Sequence, residues 1–328
     1  MRNFIYKTKK SLWPKLVILC YHRIENYTSD PVKITVSEKN FLEHINFLKE
    51  FAKIISPNQL FESLKSRKNL PRRSVLLTFD DGYSSYEQTM DLLIKKSISA
   101  IFFISLRKEH YWWDILSKIL FENQHVEKSN YIKINNLLTE LGCHFNIEES
   151  INSNSMDVLR KWSVTDEGFP FNRNKAFYFL AKEMEDIDHY TKSRTLNIVN
   201  SLSNEKRNFS YLLNEKFIDY HKIGYHTINH YNMSKLSYDN QKIEIELGKK
   251  ELESIINQQV KIFAYPFGNR YHYNADTLEI VKRNFNFAFS NFKGLVHKDS
   301  NIYEMPRFLV RDWDIDSFIQ NIKRFFKH

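Results

Sequence analysis

Short apolar segments alternate with amphipathic helical patterns along the chain, and this alternation limits the fold more than any other feature. Strands that alternate with helices favour a parallel sheet, and seven or eight such repeats favour a barrel of the (β/α) type. A helical spacing of apolar residues is clear at Phe41, Ile45 and Leu48. The predicted strands are 17–21, 53–56, 75–79, 100–105, 222–225, 261–265, 287–291 and 308–311.

The segment 107–215 interrupts this alternation between two predicted strands. Its patterns are mostly helical, at 110–121, 156–162, 174–184 and 187–202, and a structureless loop of this length is improbable in a compact domain. We therefore predict a helical insertion, 107–215, between a first barrel part, 1–106, and a second barrel part, 216–328. It leaves the end of a strand on the face where barrel loops build active sites, so it is predicted to form a wall or lid there.

Two adjacent carboxylates, Asp80 and Asp81, stand where the predicted strand 75–79 meets a helix. Active sites of α/β proteins form at this edge of the sheet. One carboxylate can hold a metal while its neighbour stays available for proton transfer. An ordinary Asp-Asp-Gly turn with a helix cap explains the pair equally well when it is taken alone.

Two histidines, His226 and His230, lie far downstream and four positions apart. On a helical turn this spacing places both imidazoles on one face, where they can share a cation, although most such pairs are surface or core residues. With Asp81 as a third ligand, the set would hold a divalent metal and leave positions open for water and substrate. Zn²⁺ is the first choice, with Co²⁺, Ni²⁺, Mn²⁺ and Fe²⁺ as alternatives.

Three motifs follow one another along the chain: Thr-Phe-Asp-Asp-Gly-Tyr at 78–83, His-Thr-x-x-His at 226–230 and Tyr-Pro-Phe-Gly at 265–268. In this order they resemble the polysaccharide deacetylases of the NodB-homology type, carbohydrate esterase family four. The resemblance covers 16–105 and 218–312. It implies a metal-dependent hydrolase that removes acetyl groups from N-acetylated sugars, built on a distorted (β/α)7–8 barrel.

The resemblance also implies roles for the residues that match the motifs. Asp80 looks like the general base, which takes a proton from water that a bound metal activates. The backbone N–H of Phe267 is suited to stabilise the oxyanion, and Tyr265 and Pro266 belong to the same side of the site. The implied metal ligands are Asp81, His226 and His230.

One departure from the family concerns an arginine. In much of the family an arginine stands two residues before the proline of the third motif and pairs with the base, whereas this chain has Ala264. We predict that Arg307 replaces it, with Arg311 as a weaker alternative. An ordinary surface arginine at position 307 is equally compatible with the sequence.

A second departure concerns the general acid, which in the family is usually a histidine on a late strand. Here a Tyr-His pair ends the first predicted strand, at His22, and a barrel brings its first and last strands together. Some deacetylases of extracellular polysaccharides resemble this permuted arrangement. We predict that His22 protonates the leaving amine. A purely structural histidine is the alternative, and His297 is the runner-up acid.

Trp112 and Trp113 open the insertion and are candidates for a substrate wall, because aromatic faces stack on sugar rings. Packing onto the barrel is the favoured interpretation, since a helix that begins with two tryptophans usually buries at least one.

Charge narrows the range of partners. The chain carries 48 basic and 39 acidic residues, a net charge of +9 that favours acidic glycans, diphosphate-linked sugars or a membrane surface. The basic residues are dispersed among acids, so we predict no nucleic-acid partner. The predicted substrate is an N-acetylated polysaccharide, oligosaccharide or lipid-linked glycan precursor. The alternatives are O-deacetylation of a glycan and non-catalytic glycan binding.

The stretch 1–15 is basic, and the apolar run 16–21 behind it is too short for a signal-peptide core or a membrane span. We predict a cytoplasmic protein, with peripheral contact between its basic end and the inner membrane face as an option. Cys20 and Cys143 are predicted to be thiols.

Overall fold

A parallel eight-stranded sheet forms the centre of the computed structural model, which describes residues 15–66, 70–186 and 189–327. The predicted α/β barrel class and its eight strands are confirmed. A two-stranded pair, β2 with β3, was not predicted. The strands are β1 Leu16–Tyr21, β2 Arg23–Ile24, β3 Thr35–Val36, β4 Lys53–Ile54, β5 Ser74–Phe79, β6 Ile101–Ile104, β7 Lys222–Tyr225, β8 Ile262–Ala264, β9 Phe287–Phe289 and β10 Phe308–Leu309.

The strands follow the order β10, β1, β5, β6, β7, β8, β9, with β4 paired to the start of β5. The first and last strands are therefore neighbours, as predicted. Between β9 and β10 the barrel closes through an irregular segment: Met305 N–H donates to Ala288 O at 3.0 Å, and Ser290 N–H donates to Met305 O at 2.9 Å.

Both faces of the sheet are buried. Every residue of β1 and β5 is buried, which explains their continuous apolar runs. Alternate residues enter different clusters: Leu16 and Ile18 belong to one, and Val17 and Leu19 belong to the other. The apolar strands thus hold the polar residues at their carboxyl ends in fixed positions.

Helices cover the sheet and build the insertion between β6 and β7. One helix of the insertion, Lys128–Glu140, was not predicted. Polar residues obscure its apolar stripe, namely Ser129, Asn130, Asn135 and Asn136. The helices are α1 Glu38–Phe51, α2 Pro57–Ser66, α3 Tyr86–Lys95, α4 Trp112–Ser117, α5 Lys128–Glu140, α6 Met156–Lys161, α7 Asn172–Asp186, α8 His189–Asn200, α9 Glu215–Tyr220, α10 Tyr238–Lys242, α11 Gly248–Ile256, α12 Ala275–Asn284 and α13 Ile315–Phe325.

A buried arginine ties the insertion together. Arg173 has no exposed surface. Its guanidinium donates hydrogen bonds to five backbone carbonyl oxygens within the insertion, those of Leu120, Asn123, Gln124, Glu148 and Glu149. The three-part division at 1–106, 107–215 and 216–328 stays a prediction.

Two further predictions concern the basic amino-terminal stretch and the two cysteines. The basic stretch 1–14, on which membrane contact was predicted, lies outside the described residues. In the part of the chain that the structure describes, no helix combines the length and apolar character that crossing a bilayer requires. Cys20 and Cys143 are both free thiols, as predicted.

Candidate active site

The adjacent carboxylates Asp80 and Asp81 follow the last residue of β5. The φ angles of Asp81 and Gly82 are 86° and 76°, in the left-handed region that non-glycine residues rarely occupy. This sharp turn gives the two neighbouring carboxylates separate sets of partners. Asp80 belongs to an ion pair inside the barrel, and Asp81 belongs to a group of histidines.

Asp80 forms a two-point ion pair with Arg307. Nη1 and Nη2 of the arginine donate to the two carboxylate oxygens at 2.7 and 2.6 Å. Nε donates to Ser290 O at 2.7 Å, which orients the guanidinium plane. Burial acts to raise the pKa of Asp80, but the charge and hydrogen bonds of Arg307, together with the charges of His226 and His22, outweigh it and hold the pKa below its usual value. The carboxylate is therefore ionised.

Arg307 thus pairs with Asp80, and its replacement of the arginine that the resemblance implies at position 264 stays a prediction. Arg311, the weaker alternative, does not pair with Asp80. Its Nη1 donates to the backbone carbonyl oxygens of Val32, at 3.1 Å, and of Lys33.

Asp81 meets both histidines of the second motif. Its Oδ1 lies 3.5 Å from His226 Nε2 and 3.3 Å from His230 Nε2. Two ligand atoms that each lie about 2.1 Å from a tetrahedral Zn²⁺ are roughly 3.4 Å apart, so these spacings fit a divalent cation. His226 Nδ1 lies 2.8 Å from Ala264 O. When Nδ1–H donates there, the Nε2 lone pair faces Asp81, an arrangement typical of metal-binding histidines.

The local structure of the second motif differs from the prediction. His226 and His230 were expected on one face of a helical turn, and this is wrong, because Thr227 and His230 have φ angles of 64° and 56°. The loop is held instead by Glu244, whose Oε2 accepts hydrogen bonds of 3.0 and 2.8 Å from the backbone N–H groups of the two residues before His230. Sequence reasoning missed Glu244, and its only signal was an acid within an amphipathic helical pattern.

A second trio of potential ligands, Cys20, His22 and Asp80, also lies close together. It is poorly suited to a cation, because both oxygens of Asp80 already accept hydrogen bonds from Arg307. Burial also raises the pKa of the Cys20 thiol well above its usual value, whereas a metal needs the thiolate. The Asp81 trio is therefore the better metal centre.

His22 follows β1 directly and lines the same cavity as Asp80 and Asp81. Its Nδ1 is buried and has no hydrogen-bond partner among the described residues. Burial lowers the pKa of His22, and the two carboxylates act in the opposite direction. The imidazole is thus in place to exchange a proton with a bound molecule.

The runner-up acid, His297, is not brought to this site. It follows Val296, which forms a backbone bridge with Leu16 at the amino end of β1. His22 lies beyond the carboxyl end of the same strand. The five steps between Leu16 and Tyr21 span roughly 17 Å, so His297 is at the wrong end of the barrel.

A cavity of about 510 Å³ lies over these residues. On the barrel side, Tyr265 and Phe267 line it, and Phe267 has a φ of 59° and an edge-on ring contact with His230 at 4.7 Å. Pro266 holds the turn between these two residues and is not among those that line the cavity. The insertion supplies another wall, formed by Trp112, Trp113, Val164, Tyr178, Ala181 and Lys182.

Trp113 combines the two roles considered from the sequence. It lines the cavity, yet only 7% of it is exposed. Its indole N–H donates to Tyr83 Oη at 3.0 Å, and its ring stacks on Tyr111 at 4.4 Å between centroids. The indole also contacts the ring of His230 edge-on at 5.5 Å. Packing and a position beside the site therefore coexist.

The chain belongs to the polysaccharide deacetylase family. The family model described as polysaccharide deacetylase matches 67–132 and 149–285, which is more than half of the chain and includes most of the insertion. This confirms the family inferred from the three motifs. The permuted placement of the acid on the first strand stays a prediction.

Solved structures share the fold across nearly the whole chain. The Streptococcus pyogenes deacetylase PplD, in complex with acetate, is 17% identical, with 94% of this chain and 98% of that chain covered and a TM-score of 0.52. IcaB from Ammonifex degensii is 18% identical, with 95% of this chain and 97% of that chain covered and a TM-score of 0.51. A de-N-acetylase from Aggregatibacter actinomycetemcomitans is 14% identical, with 94% of this chain and 99% of that chain covered and a TM-score of 0.52. No curated protein matches the sequence.

Proposed function

We propose that this protein removes N-acetyl groups from an amino sugar of a glycan, with release of acetate and a free amine. One observation supports this most strongly. A cavity of about 510 Å³ contains both a carboxylate that Arg307 keeps ionised and a three-residue centre suited to a divalent cation. A glycan-binding protein needs neither of these features.

Each residue of the site has a definite task in this reaction. Asp81, His226 and His230 would hold a divalent cation, which when bound would supply Lewis-acid polarisation of the acetyl carbonyl and a lowered pKa for water. Asp80 accepts the proton of the attacking water, and Arg307 keeps its carboxylate oriented. The negative charge that develops on the carbonyl oxygen is stabilised by the backbone N–H of Phe267. His22 gives a proton to the departing nitrogen, so that the sugar leaves as an amine.

Zn²⁺ is the cation we propose, because two imidazoles and one carboxylate with open positions are typical of catalytic zinc. The substrate we propose is an N-acetylated polysaccharide, oligosaccharide or lipid-linked precursor. The volume of the cavity lies within the range of small-molecule binding sites. The rings of Trp112 and Tyr178 give the wall the apolar surface that a pyranose face contacts.

Acetate release from N-acetylated and O-acetylated sugars tests the proposal. We expect release from the amide substrates, and Asp80→Asn should abolish turnover while a stoichiometric cation stays bound. Unchanged acetate release from Asp80→Asn would refute the role of Asp80. Release from O-acetylated sugars alone would replace the amidase by an esterase.

A further inference from the structure

A buried arginine of the insertion reaches the turn that carries a proposed metal ligand. Nη2 of Arg207 donates hydrogen bonds to the backbone carbonyl oxygens of Asp81 and, at 2.7 Å, of Gly82. Both residues have left-handed φ angles, 86° and 76°. Aspartate adopts such a backbone only where the surroundings hold it there, so the turn needs partners from outside β5.

The guanidinium of Arg207 is itself fixed in position. It lies between the rings of Tyr111 and Phe209, with Cζ 4.6 and 4.9 Å from the two centroids. Nη1 donates to the carbonyl oxygen of Ser105, at the end of β6, at 3.3 Å. Tyr111 adds a second hydrogen bond to the carbonyl oxygen of Asp81, at 2.9 Å. Arg207 and Tyr111 thus connect the segments that follow β5 and β6 to the insertion.

The turn and the arginine are also packed together. A Cβ at Gly82 would lie 3.3 Å from Nη2 of Arg207 and 3.4 Å from the hydroxyl of Tyr211. The hydrogen bonds of Arg207 to the turn go to carbonyl oxygens, so the Asp81 carboxylate stays directed at the two imidazoles. The guanidinium of Arg207 thus supports the proposed metal ligand Asp81 through the backbone of the turn.

We propose that Arg207 is a positioning residue for the metal centre: it holds the turn at 81–82 so that the Asp81 carboxylate meets His226 and His230 at ligand spacing. This inference rests on the proposed function in one respect, the presence of a cation at that trio. It gives the insertion a second role besides that of a wall, because part of the metal centre depends on it.

Arg173 offers a matched control in the same insertion. It is also a buried arginine whose nitrogens donate to backbone carbonyl oxygens, and all of those carbonyls belong to the insertion. Replacement of Arg173 by Met removes a comparable set of hydrogen bonds without touching the turn at 81–82. It therefore separates a loss of stability from a loss of positioning.

The test uses the full chain and two measurements. Zn²⁺ affinity is measured by competition with a chromophoric chelator, and hydrogen exchange of the amides of 81–83 is measured in metal-free protein. We expect Arg207→Met to weaken Zn²⁺ binding about 10- to 100-fold, as supporting contacts of metal ligands typically do. Arg207→Lys should fall between this variant and the wild type, because it keeps the charge and one donor nitrogen. Exchange at 81–83 should rise in Arg207→Met and not in Arg173→Met.

The outcomes are distinct. Wild-type Zn²⁺ affinity and wild-type exchange in folded Arg207→Met would overturn the inference, as would an equal loss in Arg173→Met. If Arg207→Met does not fold, the same comparison is made with Arg207→Lys. If the wild type and Arg207→Met both bind no Zn²⁺, the proposed metal centre fails. Hydrogen exchange at 81–83 then still decides whether Arg207 holds the turn.

Discussion

Arg307 and Asp80 are 227 positions apart in the chain, yet they form two hydrogen bonds of 2.7 and 2.6 Å. The arginine has no exposed surface, and Asp80 is 3% exposed. Buried ion pairs are sensitive to the loss of one partner, because the remaining charge has neither water nor a counterion. The protonation state of the proposed base, Asp80, therefore depends on the position of Arg307 inside the barrel.

Replacement of Arg307 by Met should lower the free energy of unfolding by about 3–5 kcal/mol, since Asp80 stays buried without its counterion. The pKa of Asp80 should rise, and the acid limb of the pH profile of kcat/KM should move to higher pH. Denaturant unfolding and the pH profile measure the two effects. The double variant Arg307→Met with Asp80→Asn should regain stability but not activity. A double variant no more stable than Arg307→Met would contradict this account.

His22→Gln should reduce hydrolysis of acetamide substrates by roughly 10²- to 10⁴-fold, the usual contribution of a general acid. An aryl acetate has a leaving group that departs without a proton, so its hydrolysis should fall much less. Initial rates on both substrate types make the comparison. An equal loss on both would show that His22 does not act as the acid.

Glu244→Gln should weaken binding of the cation about 10- to 100-fold, because Glu244 holds the loop that carries both histidines. Its Oε1 accepts from Asn229 Nδ2 at 2.6 Å, and glutamine would offer one acceptor oxygen in place of the two that now bind three N–H groups. Glu246→Gln is the control, since Glu246 accepts from Asn284 Nδ2 at 3.2 Å, away from the loop. Chelator competition measures both. Equal cation affinities in Glu244→Gln and Glu246→Gln would show that Glu244 does not support the metal centre.

Trp113→Ala should lower both the stability and the substrate affinity of the protein. Truncation of a buried tryptophan typically costs about 3–5 kcal/mol of unfolding free energy. The indole also packs against His230, so KM should rise as the wall recedes. Thermal unfolding and steady-state kinetics give the two values. A lower stability with an unchanged KM would leave packing as the only role of Trp113.

Acid should destabilise the protein through His221, which is buried far from the metal centre. Nδ1 accepts from Ala100 N–H at 3.2 Å, and Nε2 donates to Met90 O at 3.1 Å, so the ring is neutral. Burial lowers the pKa of His221 to about 4, against 6.5 in the unfolded chain. The unfolded chain binds the proton first, so stability present above about pH 6.5 should be lost as pH falls toward 4.

The full effect at His221 amounts to about 3 kcal/mol. His221→Gln keeps a donor and an acceptor but does not titrate, so its unfolding midpoint should depend less on pH between 6.5 and 4. Denaturant unfolding at several pH values measures this. The same pH dependence in wild type and variant would exclude His221 as the source.

The parts of the fold that the sequence predicts well are those with local signals. The runs of β1 and β5 are apolar throughout because both faces are buried, so their bounds are easily recognised. The helix Ile315–Phe325 buries Phe318, Ile322 and Phe325, so its apolar stripe is easily recognised at helical spacing. The helix Lys128–Glu140 was missed, since its polar residues hide a narrow apolar stripe. The pair of β2 and β3, two residues each, carries too little pattern to be recognised.

The residues of the site also divide into those that local sequence patterns predict and those that they do not. Asp81, His226 and His230 were predicted as a set because their types and spacing match the needs of one cation, although the loop is not helical. Glu244 and Arg207 were missed, because tertiary contacts alone bring them to the site. Arg207 lies 126 positions from the carbonyl of Asp81 that it contacts. No local pattern distinguishes such residues from other buried charges.

The neighbouring positions of β1 and β10 have a consequence for biosynthesis. The proposed acid at His22 is synthesised well before Arg307, because translation reaches β1 long before β10. A nascent chain that stops short of position 307 can gather the cation ligands but leaves Asp80 without its counterion. Competence for hydrolysis should therefore arise only after β10 docks beside β1.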